Sequence, residues 1–138
     1  MPPYPLPIRA SLLLAALVFA TPAWSTDAVH KESVQLAAGS TARSVKGKIK
    51  GYATAEYTLT GKAGQNLSVK LKSKQPSNYF NIRQAGQEEA LFVGSSGGNS
   101  YQARLPADGE YTVQVYLMRN AARRNAVASY TLDIGLRD

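Results

Sequence analysis

Along most of this chain, apolar and polar residues alternate with a period of two, the signature of strands with one buried and one wetter face. The alternation is clearest near the C-terminus. Tyr111, Val113, Val115 and Leu117 alternate with Thr112, Gln114 and Tyr116, and Tyr130, Leu132 and Ile134 alternate with Thr131 and Asp133. Upstream, Val34-Gln-Leu36 opens the pattern, and Val45 to Lys50 continues it with lysines outward. Tyr57-Thr-Leu59-Thr60 is β-branched and aromatic, which suits a strand. Leu67 to Lys72 alternates cleanly, and Tyr79–Ile82, Leu91–Val93 and Tyr101–Leu105 are shorter strands. Turn chemistry separates these runs. Gly51-Tyr52 reads as a turn, Lys62-Ala-Gly-Gln65 as a hairpin turn, and Ser95–Ser100 as a flexible loop. In Pro106-Ala-Asp-Gly109 the proline presets φ and the glycine accepts a positive φ. No segment sustains an apolar period of 3.6. Short strands at this spacing argue for a β-sandwich or small barrel, and the expectation is an all-β, antiparallel β-sandwich of jelly-roll-like type, a single domain with Val69, Leu71, Val113, Val115, Leu132 and Ile134 in its core.

The first 25 residues break this pattern and read as a secretory signal. Arg9 supplies a positive n-region and Ser11 to Ala20 an apolar h-region, and Ala23-Trp24-Ser25 places small residues at the first and third positions before a cut after Ser25. The apolar run falls short of the about 20 residues that span a bilayer, so no stable membrane insertion is expected. No cysteine is present to carry a lipid, close a disulfide or act as a nucleophile. The expected product is an exported domain, periplasmic or secreted, of residues 26–138, stabilised by burial and hydrogen bonding alone. Loss of Arg9 lowers the net charge from +7 to +6, because 16 − 1 = 15 basic residues then face 9 acidic ones. Such a surface favours anionic partners or patches.

Catalytic constellations are poor. His30, the single histidine, precedes the first clear strand and reads as a solvated tail residue. No serine sits in a nucleophile elbow. Glu88-Glu89 is the only adjacent acidic pair, and neighbours on a strand point to opposite faces. No acid or histidine cluster has metal-ligand spacing, and Gly97-Gly98 lacks the lysine and helix of a phosphate-cradling loop. The chain reads as a binder, not an enzyme, with no cofactor and no metal.

The candidate site is the insert between the last two strands, Arg119-Asn120-Ala121-Ala122-Arg123-Arg124-Asn125, which has no strand alternation and is the one plausible helical turn. There Arg119 and Arg123 share a face at an i,i+4 spacing. Guanidinium is a planar fork matched to carboxylates and phosphates. Tyr52 and Tyr116 are candidate aromatic anchors. The plainer alternative is a self-capped loop whose arginines bridge to Asp133 or Glu110. Lys46, Lys48, Lys50, Lys70, Lys72 and Lys74 read most simply as a solvated sheet face that also protects edges.

An ordered series of segments carries a family resemblance. Gly47-Lys-Ile-Lys-Gly51-Tyr52, Tyr57-Thr-Leu-Thr, Lys62-Ala-Gly-Gln65, Leu105-Pro-Ala-Asp-Gly-Glu-Tyr111, Val115 to Arg124 and Tyr130-Thr-Leu-Asp-Ile134 together resemble the periplasmic inhibitors of g-type (goose-type) lysozyme. The most specific element is Arg119-Asn120-Ala121-Ala122-Arg123. The turn motifs are also similar to the pre-peptidase C-terminal type of β-sandwich. Some of those domains bind calcium through aspartates, whereas this chain has Ala53-Thr-Ala-Glu56 after its Gly51-Tyr52 turn. The resemblance implies a g-type lysozyme as protein partner. It implies occlusion of the enzyme's cleft by loops carrying Tyr52, Tyr116, Arg119, Asn120, Arg123 and Arg124. Goose-type lysozymes are often basic, as this chain is, so affinity would come from local fit rather than long-range steering. Two other readings remain: an envelope-binding module gripping anionic peptidoglycan or lipopolysaccharide through its lysines, and a nucleic-acid binder. Export and the lack of an aromatic-basic groove motif argue against the second.

Overall fold

A computed structural model of the protein describes residues 28–36 and 41–138, together with Pro3. The signal segment expected over residues 1–25, Pro3 apart, and its cleavage point lie outside the described residues. The elements are β1 (Val29–Ser33), β2 (Ala42–Lys50), β3 (Thr54–Gly61), β4 (Asn66–Ser73), β5 (Asn78–Gln84), β6 (Phe92–Val93), α1 (Gly94–Gly97), β7 (Ser100–Arg104), β8 (Gly109–Leu117), α2 (Arg119–Arg123) and β9 (Val127–Arg137). They form two sheets, a first in the order β1-β3-β8-β5-β6 and a second in the order β2-β9-β4-β7. The inward residues of both sheets make one core. Val69, Leu71, Val113, Val115, Leu132 and Ile134 are all buried in it, as the alternation predicts. They are joined by residues that include Tyr57, Leu67, Phe80, Ile82 and Tyr111.

Pairing between strands departs from the sequence reading in specific ways. Lys62–Gln65 is a turn, with the Gln65 N–H donating to Lys62 C=O at 3.1 Å and Gly64 at φ +85°. It does not close a hairpin, because β3 pairs with β8 in the first sheet while β4 pairs with β9 and β7 in the second. Of successive strands only β5 and β6 are neighbours in one sheet; the rest alternate between sheets, which gives the jelly-roll-like character. One edge is not antiparallel: β1 runs parallel to β3, from Val29 opposite Thr54 to Ser33 opposite Thr58. The first strand therefore lies before Val34–Leu36 and includes His30. Val34 follows it, buried, and its N–H donates to Thr58 C=O at 2.8 Å.

The stretch expected as a flexible loop over Ser95–Ser100 begins inside a helical turn, α1. Glycine permits this through close approach. A Cβ on Gly94 would strike the Phe80 backbone, and one on Gly97 would strike the Phe92 ring. The Pro106–Gly109 turn is as expected. It is closed by the Tyr111 hydroxyl, which donates to Ala107 C=O at 2.5 Å. This turn is tied to the Lys62–Gln65 turn by the Ala63 N–H, which donates to Asp108 Oδ1 at 2.7 Å. Those two turns close one end of the sandwich. The Gly51-Tyr52 turn and α2 occupy the other.

Candidate functional site

β8 leaves the first sheet at Leu117 and the chain turns once as α2 before entering β9 of the second. The helical turn packs its two alanines inward against the core. Ala121 and Ala122 are fully buried, while Arg119, Asn120 and Arg123 are exposed. Arg119 and Arg123 thus share the outward side of a turn whose inward side is held by the core. Hydrogen bonds brace α2 from several directions. The Met118 N–H donates to Ser77 C=O at 2.9 Å, and the Ala122 N–H to Met118 C=O at 2.9 Å. At the far end the Asn125 N–H donates to Ala122 C=O at 3.0 Å, and the Ala126 N–H to Ala121 C=O at 3.1 Å. Asn125 stops the helix with φ +53°, a left-handed conformation that asparagine tolerates better than most residues.

The β2–β3 turn is fastened to this junction. The Gly51 N–H donates to Ala126 C=O at 3.0 Å. Gly51 itself sits at φ +62°, and a Cβ there would lie 2.9 Å from Asn125 Oδ1. The Gly51–Ala126 hydrogen bond sets Tyr52, 47% exposed, on the same end of the sandwich as the arginines. Tyr52, Arg119, Asn120, Arg123 and Arg124 are therefore grouped at one end and all are exposed. Tyr116 is not part of that exposed group. It projects from the outer face of the first sheet, half-buried, opposite Tyr79 of β5, with ring centroids 6.5 Å apart.

The self-capped alternative does not hold. Asp133 is paired with Lys72 at 3.3 Å, not with an arginine of the insert. Its carboxyl is held below the usual range by a hydrogen bond from Ser44, and further by Lys72 and Lys70. The other acid–base contacts among the described residues are His30–Glu32, Arg43–Glu32 and Arg83–Glu56. Among the described residues, Arg119, Arg123 and Arg124 have no ion-pair partner. Two residues that shape this end, Gly51 and Asn125, were not singled out as site residues in the sequence. Their signal is conformational: a glycine and an asparagine that both need positive φ.

Chemistry elsewhere is sparse. His30 is exposed in β1, within 3.4 Å of Glu32. Among the described residues no group of three or more histidines, cysteines or acids could hold a metal, and no helix is long and apolar enough to cross a membrane. The lysines lie on the outer face of the second sheet: Lys46, Lys48 and Lys50 on β2, Lys70 and Lys72 on β4, and Lys74 just beyond it.

Comparison with known proteins bears on the fold and the family. No protein-family model matches the chain. The chain is similar to an inhibitor of g-type lysozyme from Escherichia coli K12, 31% identical over 131 residues that cover 94% of this chain and 96% of the relative. Its structure is similar to the crystal structure of a periplasmic inhibitor of g-type lysozyme from Aeromonas hydrophila. That match has 36% identity and a TM-score of 0.72, and covers 80% of this chain and 99% of the other. It is also similar to a mutant periplasmic inhibitor of g-type lysozyme from Escherichia coli, with 27% identity, a TM-score of 0.62, and coverage of 80% and 99%.

Proposed function

The chain belongs to the family of g-type lysozyme inhibitors, and from that premise we propose that it blocks the enzyme by inserting its arginine-bearing end into the substrate cleft. It is a periplasmic binding protein, not an enzyme, and its partner is a g-type lysozyme. The mature chain begins at Thr26. The observation that supports this mode of action is the pair Arg119 and Arg123. Two guanidinium groups stand one helical turn apart on a turn anchored by buried alanines, with no acid of the protein itself beside them among the described residues. A cleft that hydrolyses glycosidic bonds presents carboxyl groups. A guanidinium meets a carboxylate through two parallel hydrogen bonds, and such a pair gains strength when the cleft is closed to water. Asn120 adds a neutral donor and acceptor between the two arginines, and the exposed Tyr52 adds an aromatic anchor from the adjoining turn. Tyr116, backed by Tyr79, serves this end from the side by contacting the cleft's rim.

Replacing Arg119 and Arg123 together by alanine is expected to weaken inhibition of g-type lysozyme at least tenfold, which corresponds to about 1.4 kcal/mol. The melting temperature should hardly change, since both side chains are exposed. Lysine at both positions should restore inhibition only in part, because a point charge cannot reproduce the fork. Truncating Arg124, which caps the turn rather than sharing the face, should matter less. Full inhibition by the double alanine variant would move the site to another surface. A wild-type protein that leaves g-type lysis untouched at micromolar excess would end the inhibitory reading itself.

A further inference from the structure

We propose that the outer face of the second sheet is a separate binding site for an acidic glycan, a polysaccharide whose carboxylate groups recur along its chain. Charge is divided unequally between the two sheets. On the strands of the first sheet, Lys31 and Arg83 are outnumbered by Glu32, Glu56 and Glu110. On the second, β2 carries four basic residues, β4 two, and β7 and β9 one each, against Asp133 alone.

Shape turns that charge into a groove. The central strand β9 turns short side chains outward at Ser129, Thr131 and Gly135, and its two neighbours turn lysines outward. Lys46, Thr131 and Lys72 stand in one row, since Thr131 is opposite Lys46 on one side and Lys72 on the other. Neighbouring strands are ~4.8 Å apart, so the two lysine walls are ~10 Å apart, about the width of a sugar ring with its substituents. The trough has a volume of about 800 Å³ where Lys46, Lys72, Lys74, Ser129 and Thr131 line it. Asp133, paired with Lys72 at 3.3 Å, lies on the floor where the same strands frame a second hollow of about 410 Å³ with Ser68, Lys70, Gln102 and Arg137. Anionic groups spaced along one chain can therefore meet cations on either side of Asp133.

Edge protection does not explain every lysine. β2 is an edge strand, where outward lysines deter pairing with other chains, but Lys70 lies where β7 covers β4, over Asn66–Lys70, and has no free edge to guard. One wall is also rigid. The Ser73 hydroxyl donates to Ser129 C=O at 3.2 Å and accepts from Asn78 Nδ2 at 3.0 Å and from the Gln75 N–H at 3.2 Å. The lining favours a glycan over other polyanions. Its floor offers hydroxyls and its sides amides, and no aromatic ring faces outward from β2, β4 or β9 for bases to stack on. Val127 is the one large exposed apolar side chain on these strands, too little for a lipid surface or for the apolar centre of a protein interface.

The test is titration calorimetry of the mature protein with polygalacturonate, with neutral dextran, polyphosphate, polyglutamate and single-stranded DNA as comparison polymers. Polygalacturonate should bind, more weakly as salt rises, and dextran should not. Lys46→Gln/Lys72→Gln/Lys74→Gln should bind at least tenfold more weakly. Ser129→Trp, which fills the floor and keeps every charge, should lose at least tenfold as well. Both variants should inhibit g-type lysozyme as wild type does, so this site and the arginine end can fail independently. Absence of polygalacturonate binding, or full binding by Ser129→Trp, would overturn the proposal. Equal or tighter binding of polyphosphate, polyglutamate or DNA would overturn the assignment to an acidic glycan. Loss of lysozyme inhibition in the lysine variant would merge the groove with the enzyme interface and overturn a separate site.

Discussion

Tyr57 and Tyr130 show how single side chains couple the two sheets. Tyr57 reaches from β3 and Tyr130 from β9, and their buried hydroxyls bond to each other at 2.6 Å. The room for Tyr130 comes from Gly47 opposite it, where any Cβ would collide with the phenol. Burial pushes the Tyr130 hydroxyl well above its ordinary range, the bond to Tyr57 adds to this, and Glu32 raises it further. Tyr57 is also raised, by burial and Glu32, although its bond to Tyr130 acts the other way. Unfolded tyrosine ionises near pH ~10 while the folded phenols keep their protons, so this contribution is complete below that pH and is lost as pH rises above it. Tyr130→Phe should cost about 1 kcal/mol at neutral pH, through the lost hydrogen bond, and flatten the fall in stability above pH ~10. Urea unfolding of both proteins across that range checks it; parallel alkaline slopes would contradict the assignment.

Among the elements, α2 turns residue identity into presentation. Five residues are far too few for a stable helix by themselves, so its shape depends on the alanines beneath it and the bonds at both ends. Asn125 is the sensitive point, because its positive φ ends the turn and its side chain lies against Gly51. Asn125→Leu should destabilise the protein by about 1–2 kcal/mol, since a side chain branched beyond Cβ pays the left-handed penalty and loses the fit to the turn. It should also weaken lysozyme inhibition, because the Tyr52 turn and the arginine face would shift relative to each other. A thermal melt and an inhibition assay on the same preparation test both. Unchanged inhibition in a clearly destabilised variant would separate that junction from the site. The helical turn and the i,i+4 arginine pair were legible in the sequence, since alanines between arginines have no strand pattern. The exclusion of Tyr116 from the exposed group was not legible, because it depends on Tyr79 from another strand.

At the scale of the whole molecule, a sandwich without a single cysteine rests on its core. Val115 is fully buried on β8, between Ala55 of β3 and Phe80 of β5, so Val115→Ala should cost roughly 1–3 kcal/mol through lost burial and a residual cavity. A denaturant midpoint within error of wild type would show that the core relaxes around the loss. Local pattern located β2 to β9 but not β1, and it showed which side of most strands is buried, where the chain turns, and that one polar insert with paired arginines breaks the alternation. These are local properties: a period of two, the φ preferences of glycine, proline and asparagine, and the length of a run. The tertiary structure decided which strands are neighbours. Lys62–Gln65 has the chemistry of a hairpin turn, yet the strands it joins separate into different sheets because each finds longer pairing and a buried face elsewhere. The same decision placed β9 between β2 and β4, bringing Lys46 and Lys72 to either side of Thr131 across long stretches of chain. It also joined Gly51 to Ala126, and so Tyr52 to the arginines. Pairing between distant segments depends on how the whole core closes, and no local pattern carries that information.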